Sequence, residues 1–483
     1  MSVRGRLSAL DGSFLRLESD SAHMHVGWTA VLAVPDEGSR PTVQALRDRV
    51  AGRLDDVGWC RWRLRPTPLG LAEPRWVDDA GFDLDAHVLA LSEPDDPVSE
   101  EAFHAMRDAL LSEPLDRSHA LWRIFLIPRL EDGRAAILGK VHHALVDGIA
   151  VLQLVGLLVD EATDANSATA RPWRPAAEPG ALGFALGELR HTAADGLRAL
   201  GATATAALHP RQTVPSMVRR AQRVLQSARV DVLARAPESA LNRPIGPRRS
   251  LVGYRAPRDE LRAARTASGG TLNDVGLAIV AGALRAIALR RGEATSSPLK
   301  AMVPVSVRQL RENGPGNRIA MVTIRLPVHL SSARERVEWV RGETARMKTS
   351  GRAEGTQMLY AAGGLLPAPL RGPVVSAMAS PSVFNLTISQ SPGPRRAVYV
   401  LGCEVEEVYS VVPIADRHAL AIGMVRYRHD LFFGCYADPD AFPEVRELPG
   451  LLEAELHALA GPETARPDGV PPATAREREP AGI

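Results

Sequence analysis

The sequence predicts a mixed α/β protein, of the α+β kind, organised as two domains. Three observations carry this. At 483 residues the chain exceeds one ordinary core, so two domains of roughly 200 residues are expected. Helical and strand periodicities mix without a strict βαβ repeat, which favours a mixed sandwich over a Rossmann fold. The apolar run Ala135 to Val141 follows the turn Glu131-Asp132-Gly133. It leads into Ile149, Val151, Leu152, Leu154, Val155 and Leu158 at helical spacing, so a strand, a turn and a helix follow one another.

In chain order, a short helix is expected near Leu7–Leu17 and a strand over Val26–Val34. Pro41–Leu54 reads as an amphipathic helix. Trp59–Pro66 alternates apolar residues with arginine, the pattern of a strand with one charged face. Ser99–Leu111 reads as a helix, and Leu121–Leu130 pairs with Ala135–Val141 as a hairpin around Asp132-Gly133. The Ala-, Thr- and Pro-rich stretch Asp160–Glu178 marks a boundary. Two helical stretches follow, over Leu182–Leu200 and over Met217–Val232. The second carries Arg219, Arg220, Arg223 and Arg229. A basic amphipathic helix can lie on an anionic membrane, although packing on the protein with its charges in water is the commoner use.

The second half opens near Ser250. Helices are expected at Asp259–Ala267, Leu272–Arg290, Ala333–Met347 and Ala441–Leu459. Strands are expected at Leu299–Val307, Ile319–Leu326 and Val383–Ser389, with a hairpin of Ala419–Tyr427 and Leu431–Tyr436. The resulting division is 1–165, a helical linker over 166–249, a second domain over 250–460, and a tail over 461–483. The tail is rich in Pro, Arg and Glu, poor in large apolar residues, and expected to be disordered.

With 45% hydrophobic and 24% charged residues the composition is that of a globular chain. The net charge of +2 gives no reason to expect a nucleic-acid partner. Cys60, Cys403 and Cys435 are scattered and odd in number, so neither a disulfide framework nor a metal site is expected, and a reducing cytoplasm fits. The N-terminus lacks the apolar core of a signal peptide, and no run of about 18 apolar residues predicts a spanning helix. There is no G-x-S-x-G elbow and no phosphate loop.

The chemistry concentrates in His142-His143-Ala144-Leu145-Val146-Asp147-Gly148, an H-H-x-x-x-D-G pattern at the strand-to-helix turn. If strand geometry persists through position 143, the two rings point to opposite faces. One then meets a site while the other packs inside. A neutral imidazole accepts a proton well near pH 7, so one histidine can activate an alcohol or amine for attack on an acyl carbonyl. Asp147 fits an ion pair that fixes the turn, with Arg61 and Arg63 as candidate partners. Gly148 starts the helix.

H-H-x-x-x-D-G resembles the signature of the CoA-dependent acyltransferase superfamily. Further blocks resemble the bacterial wax ester synthase/diacylglycerol acyltransferase family in particular. They are LSALDGSFLRLESDSAHMHVG from Leu7, PLDRSHALW from Pro114, TLNDVGLAIVAGALR from Thr271, VPVSVR from Val303, Gly316-Asn317-Arg318, and NLTISQSPGP from Asn385. They occur in order from about residue 7 to about 460. Gln390 stands where Asn is usual, and His119-Ala120 replaces the common Arg-Pro.

The resemblance implies two chloramphenicol-acetyltransferase-like domains joined as a pseudo-dimer, with a channel at their interface. It implies His143 as general base, supported by His142, Asp147 and Gly148, with Asn273, Asp274 and Ser306 as candidates for shaping the site or meeting the oxyanion. Capping a helix is an equal reading for Asn273-Asp274. For Leu115 and Leu121-Trp122 packing is favoured, and for Asp116-Arg117 a local ion pair. The implied substrates are a long-chain acyl-CoA with diacylglycerol or a fatty alcohol, without cofactor or metal. The expected location is cytoplasmic, peripheral on the inner membrane face or on lipid inclusions. Two other readings compete: a condensation enzyme of specialised metabolism using another alcohol or an amine, and a non-catalytic lipid-binding protein on the same scaffold.

Overall fold

The computed structural model describes residues 7–35, 40–67, 73–146, 148–163, 172–177, 180, 210–306, 319–363, 366 and 368–461. The expected helix over 182–200, Gly316-Asn317-Arg318, Asp147 and the tail beyond 461 lie outside these residues.

In chain order the strands are β1 His25–Ala33, β2 Trp62–Arg65, β3 Arg75–Asp78, β4 Val88–Ala90, β5 Trp122–Ile127, β6 Ala135–His142, β7 Ser250–Ala256, β8 Leu299–Ser306, β9 Ile319–Leu326, β10 Leu386–Pro392, β11 Tyr399–Val400, β12 Cys403–Val411, β13 Leu420–Tyr427 and β14 Asp430–Ala437. They form two six-stranded mixed sheets, ordered β11-β12-β1-β6-β5-β4 and β7-β14-β13-β10-β8-β9, and a ribbon of β2 with β3. Each sheet carries its own core, and each core takes residues from the other half of the chain. The fold is therefore the mixed α/β, two-lobed architecture that the sequence predicts.

The elements form where local chemistry favours them. Helix Ala9–Leu17 starts in a capping box, with Ser8 and Asp11 satisfying each other's backbone N–H. Strand β6 is buried at every position, so it reads as a continuous apolar run rather than an alternating one. Helix Leu272–Arg290 is long and apolar enough to cross a membrane by composition, but it is mostly buried in the second lobe. It packs on helices Arg258–Ser268, Ala333–Thr349 and Leu448–Ala460.

The lobes do not divide cleanly along the sequence. Although β12 belongs to the second half of the chain, it pairs antiparallel with β1 of the first sheet. It also lies against the second sheet, where Gly253, Gly434 and Gly423 sit side by side on β7, β14 and β13. A Cβ at any of the three would collide with Tyr409 or Ser410 of β12, so only glycine admits the approach. A division at residue 250 thus describes chain order, not the lobes. The stretch Trp59–Pro66 likewise forms a 3-10 turn, Leu54–Arg61, and only then the short strand β2. Helices Arg352–Gly363 and Ala368–Met378 of the second half pack against helix Ala9–Leu17 of the first.

Candidate active site

His142 is the last residue of β6, and helix Gly148–Gly156 begins six residues later. Strand pairing stops at His25–His142, so His143 already lies in the turn. The alternation that would send the two rings to opposite faces does not extend to position 143. Instead both rings meet the C-terminal end of helix Ala9–Leu17. Phe14 and Glu18, four residues apart on one helix face, take one histidine each.

His142 is completely buried. Its Nδ1 accepts the Ala144 N–H at 3.0 Å. The hydrogen of a neutral ring then sits on Nε2, which lies 3.4 Å from Glu18 Oε1. Arg117 donates to the other Glu18 oxygen and to the Leu15 carbonyl at 2.9 Å. Burial pushes the Glu18 carboxyl up, but His142 and Arg117 outweigh it and hold the group below the usual carboxylate range. The expected local pair of Asp116 with Arg117 is thus replaced by a longer reach. Asp116 accepts from the Ser118 N–H and hydroxyl and shapes its own turn.

His143 is only partly buried. Its ring stacks on Phe14 with centroids 3.9 Å apart and planes 6° from parallel. Its backbone N–H donates to the Met24 carbonyl at 2.9 Å. Met24 holds a φ of +43°, a left-handed conformation that a non-glycine residue adopts only under local constraint. Nδ1 of His143 lies 3.1 Å from the Val146 carbonyl oxygen. A carbonyl can only accept, so Nδ1 carries the hydrogen, and in the neutral ring the lone pair is on Nε2. An imidazole stacked on Phe14 and donating from Nδ1 to a carbonyl, with the basic lone pair on Nε2, is equipped to take a proton.

The site lies beside the seam of the lobes. His25, next to His142 across β1 and β6, has its Nε2 3.4 Å from the Tyr436 hydroxyl of β14. Burial pushes the His25 imidazole well down, and Lys140 and His23 add to this. Arg371 pairs with Glu73 across the seam at 3.0 Å, and Arg16 joins that carboxylate from the other side.

The remaining candidates separate. Both Asp274 oxygens are engaged: one by Thr271, whose N–H and hydroxyl donate at 3.0 and 2.7 Å, the other by the Thr344 hydroxyl at 2.8 Å. Asp274 is therefore a capping residue that ties two helices of the second lobe. Ser306 ends β8 opposite Ile319, and its side chain is outside the described residues. Arg61 pairs with Asp55 at 2.7 Å, and Arg63 lies 3.9 Å from Asp79. Leu115, Leu121 and Trp122 are buried, and the Trp122 indole donates to the Cys60 carbonyl at 2.6 Å. Among the described residues no three His, Cys, Asp or Glu side chains converge as a metal site.

Comparison with known proteins gives a consistent picture. Residues 7–276 match the model of the wax ester synthase/diacylglycerol acyltransferase catalytic domain, and residues 315–460 match the C-terminal domain of the same group. A putative diacylglycerol O-acyltransferase of Mycobacterium tuberculosis is 32% identical over 485 residues, covering 95% of this chain and 92% of that protein. A probable diacylglycerol O-acyltransferase of the same species is 30% identical, covering 94% and 95%. Among solved structures, the wax ester synthase/diacylglycerol acyltransferase of Marinobacter aquaeolei superposes with a TM-score of 0.67 at 24% identity, covering 94% of this chain and 98% of that one. The first condensation domain of the calcium-dependent antibiotic synthetase shares the fold with a TM-score of 0.58 at 16% identity, covering 96% and 98%.

Proposed function

The chain belongs to the wax ester synthase/diacylglycerol acyltransferase family, and from that premise we propose that it esterifies diacylglycerol, long-chain fatty alcohols or both with a long-chain acyl group from acyl-CoA. That the protein is an acyltransferase of this family follows from the match over nearly its whole length. The substrates and the role of His143 are our reading.

In this reading Nε2 of His143 removes the proton from the acceptor hydroxyl as its oxygen attacks the thioester carbonyl. The tetrahedral intermediate collapses, the C–S bond breaks, and the sulfur leaves with the proton that His143 returns. No acyl-enzyme is needed, because holding both substrates in line supplies much of the rate. The observation that carries the proposal is the hydrogen bond from His143 Nδ1 to the Val146 carbonyl, which leaves the basic lone pair on Nε2 of a partly exposed ring. His142, completely buried with its Nε2 3.4 Å from Glu18 Oε1, supports the turn instead.

The test is an assay of purified protein with radiolabelled palmitoyl-CoA, offered diacylglycerol and hexadecanol in parallel, for wild type and His143→Ala. Labelled triacylglycerol or wax ester is expected from the wild type and not from the variant. Transfer only to amines or to carrier-bound thioesters would favour the condensation reading. Lipid binding without any transfer would favour the non-catalytic one.

A further inference from the structure

Helix Pro210–Ser227 packs on helix Arg352–Gly363 by an edge that is not its apolar one. The contact is made by the Arg223 backbone and by Ser227, whose hydroxyl donates to the Arg352 carbonyl at 2.9 Å. Both come so close to Gly355 that a Cβ there would collide with them. At about 100° per residue, Met217, Ala221 and Leu225 share a different, exposed side of the helix, while Val224 and Ala228 beside them are part-buried. On that side Leu225 is 69% and Met217 56% exposed. Val218 on its flank and Leu233 in the turn beyond are exposed as well. A stripe of this kind normally turns to the core, and here it turns away from it.

The charge around the stripe has one sign. Residues 210–230 contain Arg211, Arg219, Arg220, Arg223 and Arg229 and no acidic residue. The first acid beyond them, Asp231, is buried and paired with Arg352. Apolar side chains flanked by Arg220 and Arg229 complement a bilayer surface with anionic headgroups, which offers hydrocarbon and negative charge together.

The position of the helix links this surface to the site. Helix Arg352–Gly363 also lines a shallow cleft with Ala368–Met378, through Leu359, Tyr360, Val374 and Met378. The opposite wall includes Ala9 and Arg16 of the helix whose Phe14 stacks on His143. On helix Ala368–Met378, Leu370 and Val374 remain exposed.

We propose that the apolar, arginine-flanked face of helix 210–227 docks the protein on an anionic lipid surface, next to the helix that lines the cleft beside the His143 helix. This names the partner surface for the acyl transfer proposed above and rests on that reading for its purpose, but not for its test.

The test is flotation of the full-length protein with vesicles of phosphatidylcholine alone and with about a third phosphatidylglycerol. The wild type is expected to float with the anionic vesicles and to be released by high salt. Two double variants probe the two components, Met217→Ser with Leu225→Ser and Arg220→Gln with Arg229→Gln. Each arginine removed should weaken partitioning about fivefold, and the apolar pair should weaken it about tenfold or more. Because these side chains are exposed, thermal melting should be unchanged, as should acyl transfer to a water-soluble short-chain alcohol without vesicles. Flotation of both variants equal to wild type would overturn the proposal. So would light scattering that finds a wild-type dimer which the apolar variant dissociates, since a second copy would then be the occupant. If no acceptor is acylated while flotation behaves as described, the reaction is wrong and the docking surface stands.

Discussion

Glu18 links a family block near residue 117 to the histidine pair. It accepts from Arg117 on one oxygen and faces the buried His142 on the other, so the turn that carries His143 is braced from outside the strand. Replacing Glu18 by Gln keeps the shape and removes the charge. We expect a loss of about 1–3 kcal/mol in stability, measured by denaturant unfolding. The sign with pH follows from the lowered carboxyl. The Glu18 contribution is complete above the unfolded value of 4.5 and disappears as pH falls through the lower folded value, so the stability gap between wild type and Glu18→Gln should narrow in acid. At this scale the sequence marks the histidine pair but not what holds it. The seven-residue pattern singles out His143 as the candidate base, but nothing local in Leu7–Glu18 says that Phe14 will lie on one ring and Glu18 beside the other. Those partners are set by how a helix packs on a strand far along the chain. Lys140 and Lys300 are buried and hold backbone carbonyls, and burial pushes each ammonium down to about 8.

Among the elements, β6, the helix after it and the hairpins were legible because each declares itself by periodicity and a turn. Strand β12 was not, because alternation along Cys403–Val411 does not say which sheet receives it. The deciding features are glycines on three other strands. Gly434→Ala places a methyl group against the Ser410 carbonyl and should destabilise the protein by about 1–3 kcal/mol, read as a lowered melting midpoint. Asp274→Ala tests the capping assignment at the same scale. It should cost about 1–2 kcal/mol through the lost cap and the lost hydrogen bond from Thr344, while kcat per folded molecule stays near wild type. A large fall in kcat at unchanged stability would return Asp274 to the site.

For the whole molecule, the two-lobed class was legible from length and mixed periodicity, whereas the seam was not, because it is assembled from residues distant in sequence. His25 lies in that seam among Lys140, His23, His142 and Arg249, facing Tyr436. Its folded pKa is depressed, so the unfolded chain binds more protons below the ordinary value of 6.5. Stability is full above that pH and falls as the solution is acidified. His25→Gln should flatten the fall in melting temperature between about pH 7 and 5, where the wild-type imidazole would otherwise have to charge in a buried site near Lys140 and Arg249. The central claim, that one imidazole drives acyl transfer, is tested most directly by the rate of CoA thiol release from palmitoyl-CoA in the presence of diacylglycerol. Loss of a general base predicts that His143→Ala is slower by about 10²- to 10⁴-fold with an unchanged fold. Thiol release at the wild-type rate by that variant would contradict the account.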